Sequence, residues 1–284
     1  MGATPSGSPP EASPAPGCVD EASFRSYAAE LQPEADVYGL RLDPAPKIDD
    51  DHWGEKLAVL LEHPVPLVSL TFGLPAPGDI ARLQASGSKV FATVTIPDEA
   101  IAAQDAGVDA LIVQGPAAGG HSATFDPART PGPTSTAQLI RQIRSVVSLP
   151  LIAAGGVDGP DAVRDLLAAG AETVAVGTLL LRADEAGTSP THRAALADPA
   201  FDETVITRAF TGRPARALRN GFIDRHDGNA PAAYPAVHHL TRALRQAAAQ
   251  AGDAERVHLW AGTGYRNASQ GPTASVIEAL TRGL

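Results

Sequence analysis

Cysteine and methionine occur once each in these 284 residues, and aromatic side chains make up only 5%. The lone Cys18 cannot form an internal disulfide, which fits a reducing cytoplasm. No stretch approaches 18 consecutive apolar residues, so a membrane-spanning helix is excluded. The N-terminus lacks the charged region followed by an apolar run that marks a signal peptide, and a cytoplasmic location is expected. Positive charge is also scarce: 22 Lys and Arg against 32 Asp and Glu give a formal charge of −10. Binding a nucleic acid needs clustered Lys and Arg to neutralise phosphates, so that class of partner is excluded. The same deficit argues against anionic membrane surfaces. Hydrophobic residues, at 44%, are enough for a core.

The chain divides into three parts. Residues 1–19 hold five prolines among Gly and Ser and read as a solvated tail. A helix is expected from Glu21 to Leu31, and another from Trp53 to Glu62, where Trp53, Leu57, Leu60 and Leu61 share one face. The three carboxylates Asp49, Asp50 and Asp51 before it suit a helix N-terminus; with no further ligand at metal spacing, no metal site is expected. From Leu67 a repeating unit sets in. Five apolar runs, Leu67–Phe72, Val90–Thr95, Ala110–Gln114, Pro150–Ala154 and Thr173–Val176, read as strands of a parallel sheet buried on both faces. Amphipathic helices lie between them, one around Thr136–Ser148 and one starting at Pro160 and closing at Gly170. Strands alternating with helices define β/α units, here of the (β/α)8 TIM-barrel type. Residues 20–182 are assigned to this barrel part and 183–284 to a small helical region covering the substrate side.

Glycines cluster where these strands end, and in β/α folds ligands sit at the carboxyl ends of strands. Gly155-Gly156 and Gly177-Thr178 close adjacent strands. Paired loops of this kind expose backbone N–H groups beside a helix N-terminus, which suits a phosphate. The segment Gln114-Gly115-Pro116-Ala117-Ala118-Gly119-Gly120-His121 ends a strand in a polar residue, lets backbone approach a ligand, and then supplies an imidazole. Such a side chain can remove a proton or bind an anion near neutral pH. Other candidates read as structural. His238 and His239 on the helix Ala236–Ala251 are assigned capping or surface roles. Arg208, Arg213, Arg216 and Arg219 could attract an anion but read mostly as solvated or acid-paired.

Taken together these motifs resemble the nitronate monooxygenase family, formerly the 2-nitropropane dioxygenases. The family's Gln-Gly-x-Glu-Ala-Gly-Gly-His motif corresponds to Gln114–His121, its Ala-Gly-Gly-Ile/Val motif to Ala154–Val157, and its Gln-Leu-Gly-Thr motif to Ala175–Thr178. Leu181-Arg182, Glu185–Ser189, Thr207–Pro214 and Trp260–Gly264 are similar too. The resemblance implies an FMN cofactor at the strand ends. Gln114, Gly119, Gly156, Ala175, Val176, Gly177 and Thr178 match flavin-contacting positions. It implies that His121 is the catalytic base, and that nitronates and nitroalkanes are oxidised by O2 to a carbonyl compound and nitrite. Tyr265 becomes a candidate for closing over the substrate.

This sequence departs from the family at Ala117, where the motif has Glu, and at Ala175, where it has Gln. The family also has three strands before Leu67, and nothing in residues 1–66 reads as them. About five of eight strands cannot close a barrel, so the chain is expected to begin at an internal position of a longer protein or to be a shortened homologue. Two alternatives stay open beside nitronate oxidation: an FMN-dependent enoyl reductase on the same barrel, and a non-catalytic truncated homologue.

Overall fold

A computed structural model describes residues 19–283. The expected tail, Cys18 included, lies outside the described residues apart from Val19. The chain runs through α1 (Glu21–Asp36), α2 (Trp53–Glu62), β1 (Leu67–Leu70), α3 (Pro77–Ala85), β2 (Lys89–Val94), α4 (Pro97–Asp105), β3 (Ala110–Gln114) and β4 (Gly120–His121). It continues through α5 (Thr136–Arg144), β5 (Leu151–Ala154), α6 (Pro160–Ala168), β6 (Thr173–Ala175), α7 (Pro190–Ala195), β7 (Thr204–Thr207) and β8 (Ala215–Leu218). It ends with α8 (Gly221–His226), α9 (Ala236–Ala251) and α10 (Thr273–Leu280).

Local chemistry sets many of these boundaries. Pro77, Pro97 and Pro160 open α3, α4 and α6 at the first turn, where a missing N–H costs nothing. Ser135 and Gln138 form a reciprocal capping box on α5. Gly252 closes α9 in the left-handed conformation.

Five strands form one parallel sheet in the order β1-β2-β3-β5-β6, with pairs such as Ala92 with Leu111 and Ile112 with Ile152 in register. Side chains alternate across it. Val68, Leu70, Val90, Ala92, Val94, Leu111, Val113, Leu151 and Ala153 are buried and pack in the core formed with the helices. The opposite face carries Leu67, Ser69, Phe91, Ile112 and Ile152, and these are exposed or only partly covered, Leu67 to 45%. Burial on both faces, as the apolar runs implied, therefore holds only locally, as at Thr93 and Ala110. The physical reason is geometric: the sheet does not close on itself, β1 and β6 being its unpaired edges, so no opposite wall of strands covers this face.

α10 packs on the parallel-sheet core through Val276 and Leu280, whereas much of the remaining chain builds a second body of structure. Strands β4, β8 and β7 form a small antiparallel sheet, so the C-terminal part is not helical throughout. α1 packs there rather than on the parallel sheet. Its Phe24, Tyr27 and Leu31 share a core with Phe210, Phe222, Val237 and Leu244, and the Tyr27 hydroxyl donates to the Ala209 carbonyl at 2.7 Å. The Glu34 carboxylate accepts from Arg225 Nε, Arg256 Nε and His226 Nε2 at 2.7, 2.5 and 3.0 Å. Burial alone would raise its pKa, but these charged bonds win and hold it at about 2.

Candidate active site

Gln114 ends β3, and its side chain folds the following loop back onto its own strand. Nε2 donates to the His121 carbonyl at 3.1 Å, and Oε1 accepts from the Ala123 N–H at 2.8 Å. The loop between is pinned from the far end of the chain. Thr263 N–H donates to the Ala117 carbonyl and Gly262 N–H to Thr178 Oγ1, at 3.1 and 2.9 Å. The backbone of residues 261–262 crosses so close to Gly119 that a Cβ there would lie 2.5 Å from Gly262 N. Gly119 is therefore fixed by close packing. Gly156 is fixed by conformation, with φ at +80°.

A cavity of about 500 Å³ opens at these strand ends. Gln114, Gly119, Gly156, Ala175, Val176, Gly177 and Thr178 all line it, together with Gly155, Val157 and the Trp260 indole. Gly177 differs from its neighbours in one respect. A Cβ at Gly177 would meet no protein atom within 4 Å, so protein packing does not demand glycine there. The N–H groups of Gly177 and Thr178 make no hydrogen bond among the described residues. Free space and unpaired donors at one edge of a cavity form a cradle that fits a phosphate.

His121 is not part of that wall; it stands behind Trp260, with ring centroids 5.4 Å apart. Strand β4 holds it against Ala215 of β8. Tyr234 and Phe72 complete an aromatic surround at 5.7 and 5.8 Å, and Nε2 lies 2.9 Å from Thr211 Oγ1. Burial, then the positive field of Arg213, His238 and Arg245, lowers the imidazole pKa to about 4. The ring is therefore neutral, and basic, at physiological pH.

Two of those neighbours are cations buried without a carboxylate. Arg213, 4% exposed, lies 3.9 Å over the Phe72 ring and donates to the Ser122 and Thr124 carbonyls. Arg245 bonds Thr241 Oγ1 and the His238 carbonyl. Burial lowers both pKa values to about 10, so both stay charged. In a chain of net charge −10 this local positive field favours an anion beside His121.

The structure corrects several readings. Arg213 is neither solvated nor acid-paired, whereas Arg219 does pair with Glu203 and Asp224. His238 faces Tyr234 and Arg245 instead of solvent. Tyr265 is buried in the core, its hydroxyl donating to the Phe201 carbonyl at 2.8 Å, and it does not line the cavity at the strand ends. Sequence reasoning missed Phe72, Tyr234 and Thr211. Thr211 lay inside a quoted motif, but Phe72 and Tyr234 carried no signal, since only the fold brings them to His121.

Comparison with known proteins identifies a family. Residues 14–283 match the family described as Nitronate monooxygenase. A probable nitronate monooxygenase from Staphylococcus aureus (strain Newman) is 37% identical over 243 residues, covering 84% of this chain and 68% of that protein. Among solved structures, a nitroalkane oxidase from Streptomyces ansochromogenes superposes with a TM-score of 0.86 at 45% identity, over 91% of this chain and 75% of that one. FabK from Thermotoga maritima superposes with a TM-score of 0.67 at 26% identity, over 93% and 81%. With the family matched over nearly the whole length and a relative well above 30% identity, the chain belongs to the nitronate monooxygenase family.

Proposed function

We propose that the chain is a flavin-dependent oxidoreductase that oxidises nitronates, and the nitroalkanes from which they form, using FMN and O2 and yielding a carbonyl compound and nitrite. The observation that carries this reading is the convergence of seven motif residues on one cavity whose Trp260 lies 5.4 Å from a neutral, half-buried His121. Gly177 and Thr178 N–H groups would hold the cofactor phosphate, while Gln114, Gly119, Gly156, Ala175 and Val176 would shape the remainder of its bed. When bound, FMN supplies the electron-transfer chemistry that no side chain here can provide.

The protein's own contribution is proton chemistry and charge. His121 takes the α-proton of a neutral nitroalkane, as a base must be unprotonated to do. Arg213 and Arg245, lacking carboxylates, stabilise the resulting anion through a medium of low polarity. Trp260, Tyr234 and Phe72 limit the water that reaches the ring. Ala117 and Ala175 provide no polar side chain where the family motif has Glu and Gln, so backbone donors carry more of the cofactor binding.

In this reading residues 20–182 form the cofactor-binding part and 183–284 the substrate cover, to which α1 is added by its packing. Its partners are a small nitro compound and O2. No helix among the described residues is long and apolar enough to cross a membrane, and the proposed location is the cytoplasm.

The test is direct. Purified chain mixed with FMN should retain it through desalting, seen as flavin absorption, and should release nitrite from a nitroalkane under air. Oxidation of a nicotinamide cofactor without nitrite would favour the enoyl-reductase reading. No flavin retention would favour a non-catalytic homologue.

A further inference from the structure

We infer that Thr211 fixes the tautomer of His121, placing the ring proton on Nε2 and leaving Nδ1 as the atom that accepts the substrate proton; the second half of this statement rests on the function proposed above. A neutral imidazole has one donor and one acceptor nitrogen, and its hydrogen-bond partners decide which is which. His121 makes one such bond, from Nε2 to Thr211 Oγ1 at 2.9 Å. Thr211 is 1% exposed, so water does not compete for its hydroxyl. That hydroxyl also reaches the Arg213 carbonyl at 3.4 Å.

Two arrangements are possible, and they differ in what they leave unpaired. With the proton on Nε2, the ring donates to Oγ1 and the hydroxyl donates onward to the Arg213 carbonyl, so every hydrogen has an acceptor. With the proton on Nδ1, the hydroxyl must turn to Nε2. The Arg213 carbonyl, in a residue only 4% exposed, then loses its only donor among the described residues. Orphaned buried groups are disfavoured, which selects the first arrangement.

Access supports the same assignment. His192 Nε2 and His258 Nδ1 are fully buried atoms without partners, but His121 Nδ1 is not sealed in this way. Among the ring's two nitrogens, Nδ1 is thus the one without a protein partner and not fully enclosed. The backbone keeps the pair of side chains in register. β4 pairs His121 with Ala215, and a turn closed by Thr211 and Gly212 N–H groups on the Arg208 carbonyl holds the hydroxyl in place. In the proposed step the substrate's α C–H bond breaks, its proton goes to Nδ1, and the electron pair stays on the nitronate. Thr211 touches no substrate; it is a positioning residue.

The experiment uses the full chain labelled with 15N-histidine at neutral pH, with long-range 1H–15N correlations on wild type, Thr211→Val and Thr211→Ser. His121→Asn identifies the signal among the 8 histidines. Wild type should show a protonated Nε2 and a pyridine-type Nδ1. Thr211→Val, of nearly equal size, should mix or invert the tautomers, and Thr211→Ser should restore the wild-type pattern. With FMN bound, Thr211→Val should lower kcat for a neutral nitroalkane by roughly 10- to 100-fold while leaving preformed nitronate turnover within about twofold. A wild-type ring protonated on Nδ1, or a tautomer indifferent to Thr211→Val, overturns the inference even if nitroalkane is oxidised. The expected tautomers without turnover of either substrate would uphold the role of Thr211 and overturn the function proposed above.

Discussion

Mild acid should destabilise this protein, and three partly buried histidines set the pH range in which it does so. Burial is the main cause that lowers His121, His192 and His258 to about 4, 4 and 3. In the unfolded chain each titrates near 6.5. Between these values the unfolded state binds more protons than the folded one. Their contribution is therefore complete above pH 6.5 and lost as pH falls through the folded values. One pKa unit corresponds to about 1.4 kcal/mol, so each ring forfeits up to about 2 kcal/mol between pH 7 and pH 5. Three rings forfeit about 5 kcal/mol, an upper figure because they keep some contact with water. That is comparable with the about 5–15 kcal/mol by which a native domain is stable. Glu34 does not compete in this window. Held at about 2, it retains its full contribution down to its ordinary value of 4.5. Urea denaturation at pH 7, 6 and 5 measures the effect, and His258→Gln should flatten the slope by about one proton. Stability that stays level from pH 7 to pH 5 would refute the reasoning.

Other outcomes follow from single contacts. Gly177→Val should abolish FMN retention by filling the space left by Gly177, whereas Gly78→Ala, also facing open space but on α3, should not; absorbance after desalting reads both. Glu34→Gln should cost about 1–3 kcal/mol in urea denaturation, because Arg225, Arg256 and His226 lose a shared carboxylate, while flavin retention stays intact. Arg213→Met should raise the His121 pKa and move the acid limb of nitroalkane turnover upward, as a nearby cation no longer opposes protonation. The partly covered sheet face around Leu67, Phe91 and Ile112 should bind a hydrophobic dye in the native state.

Elements governed by local signals were legible in the sequence. α2 and α9 begin and end where periodicity, Trp53 and Gly252 place them, and the five apolar runs are the five parallel strands. Departures have tertiary causes. α1 runs past its expected end at Leu31, through Pro33, to Asp36, since Glu34 and Ala35 gain buried partners there. α5 stops at Arg144 instead of Ser148, because Val146 and Val147 turn back onto the Ile143 carbonyl before β5 begins. The strands β7 and β8 lie in the region expected to be helical; Thr-Val-Ile-Thr and Ala-Arg-Ala-Leu mix polar and apolar residues and lack the continuous apolar run that marks the parallel strands. The glycine loops of the site were legible because glycine answers to backbone demands. The aromatic surround of His121 was not, as Phe72, Tyr234 and Trp260 come from three distant segments.

The central claim is that a neutral His121 acts as the base beside a flavin bed. Single-turnover flavin reduction in FMN-loaded chain, wild type against His121→Asn, tests it most directly, with a neutral nitroalkane and then with its preformed nitronate. The account predicts a loss of about 100-fold or more on the nitroalkane and at most a few-fold on the nitronate, which needs no base. Equal losses on both substrates, or none on either, would contradict it.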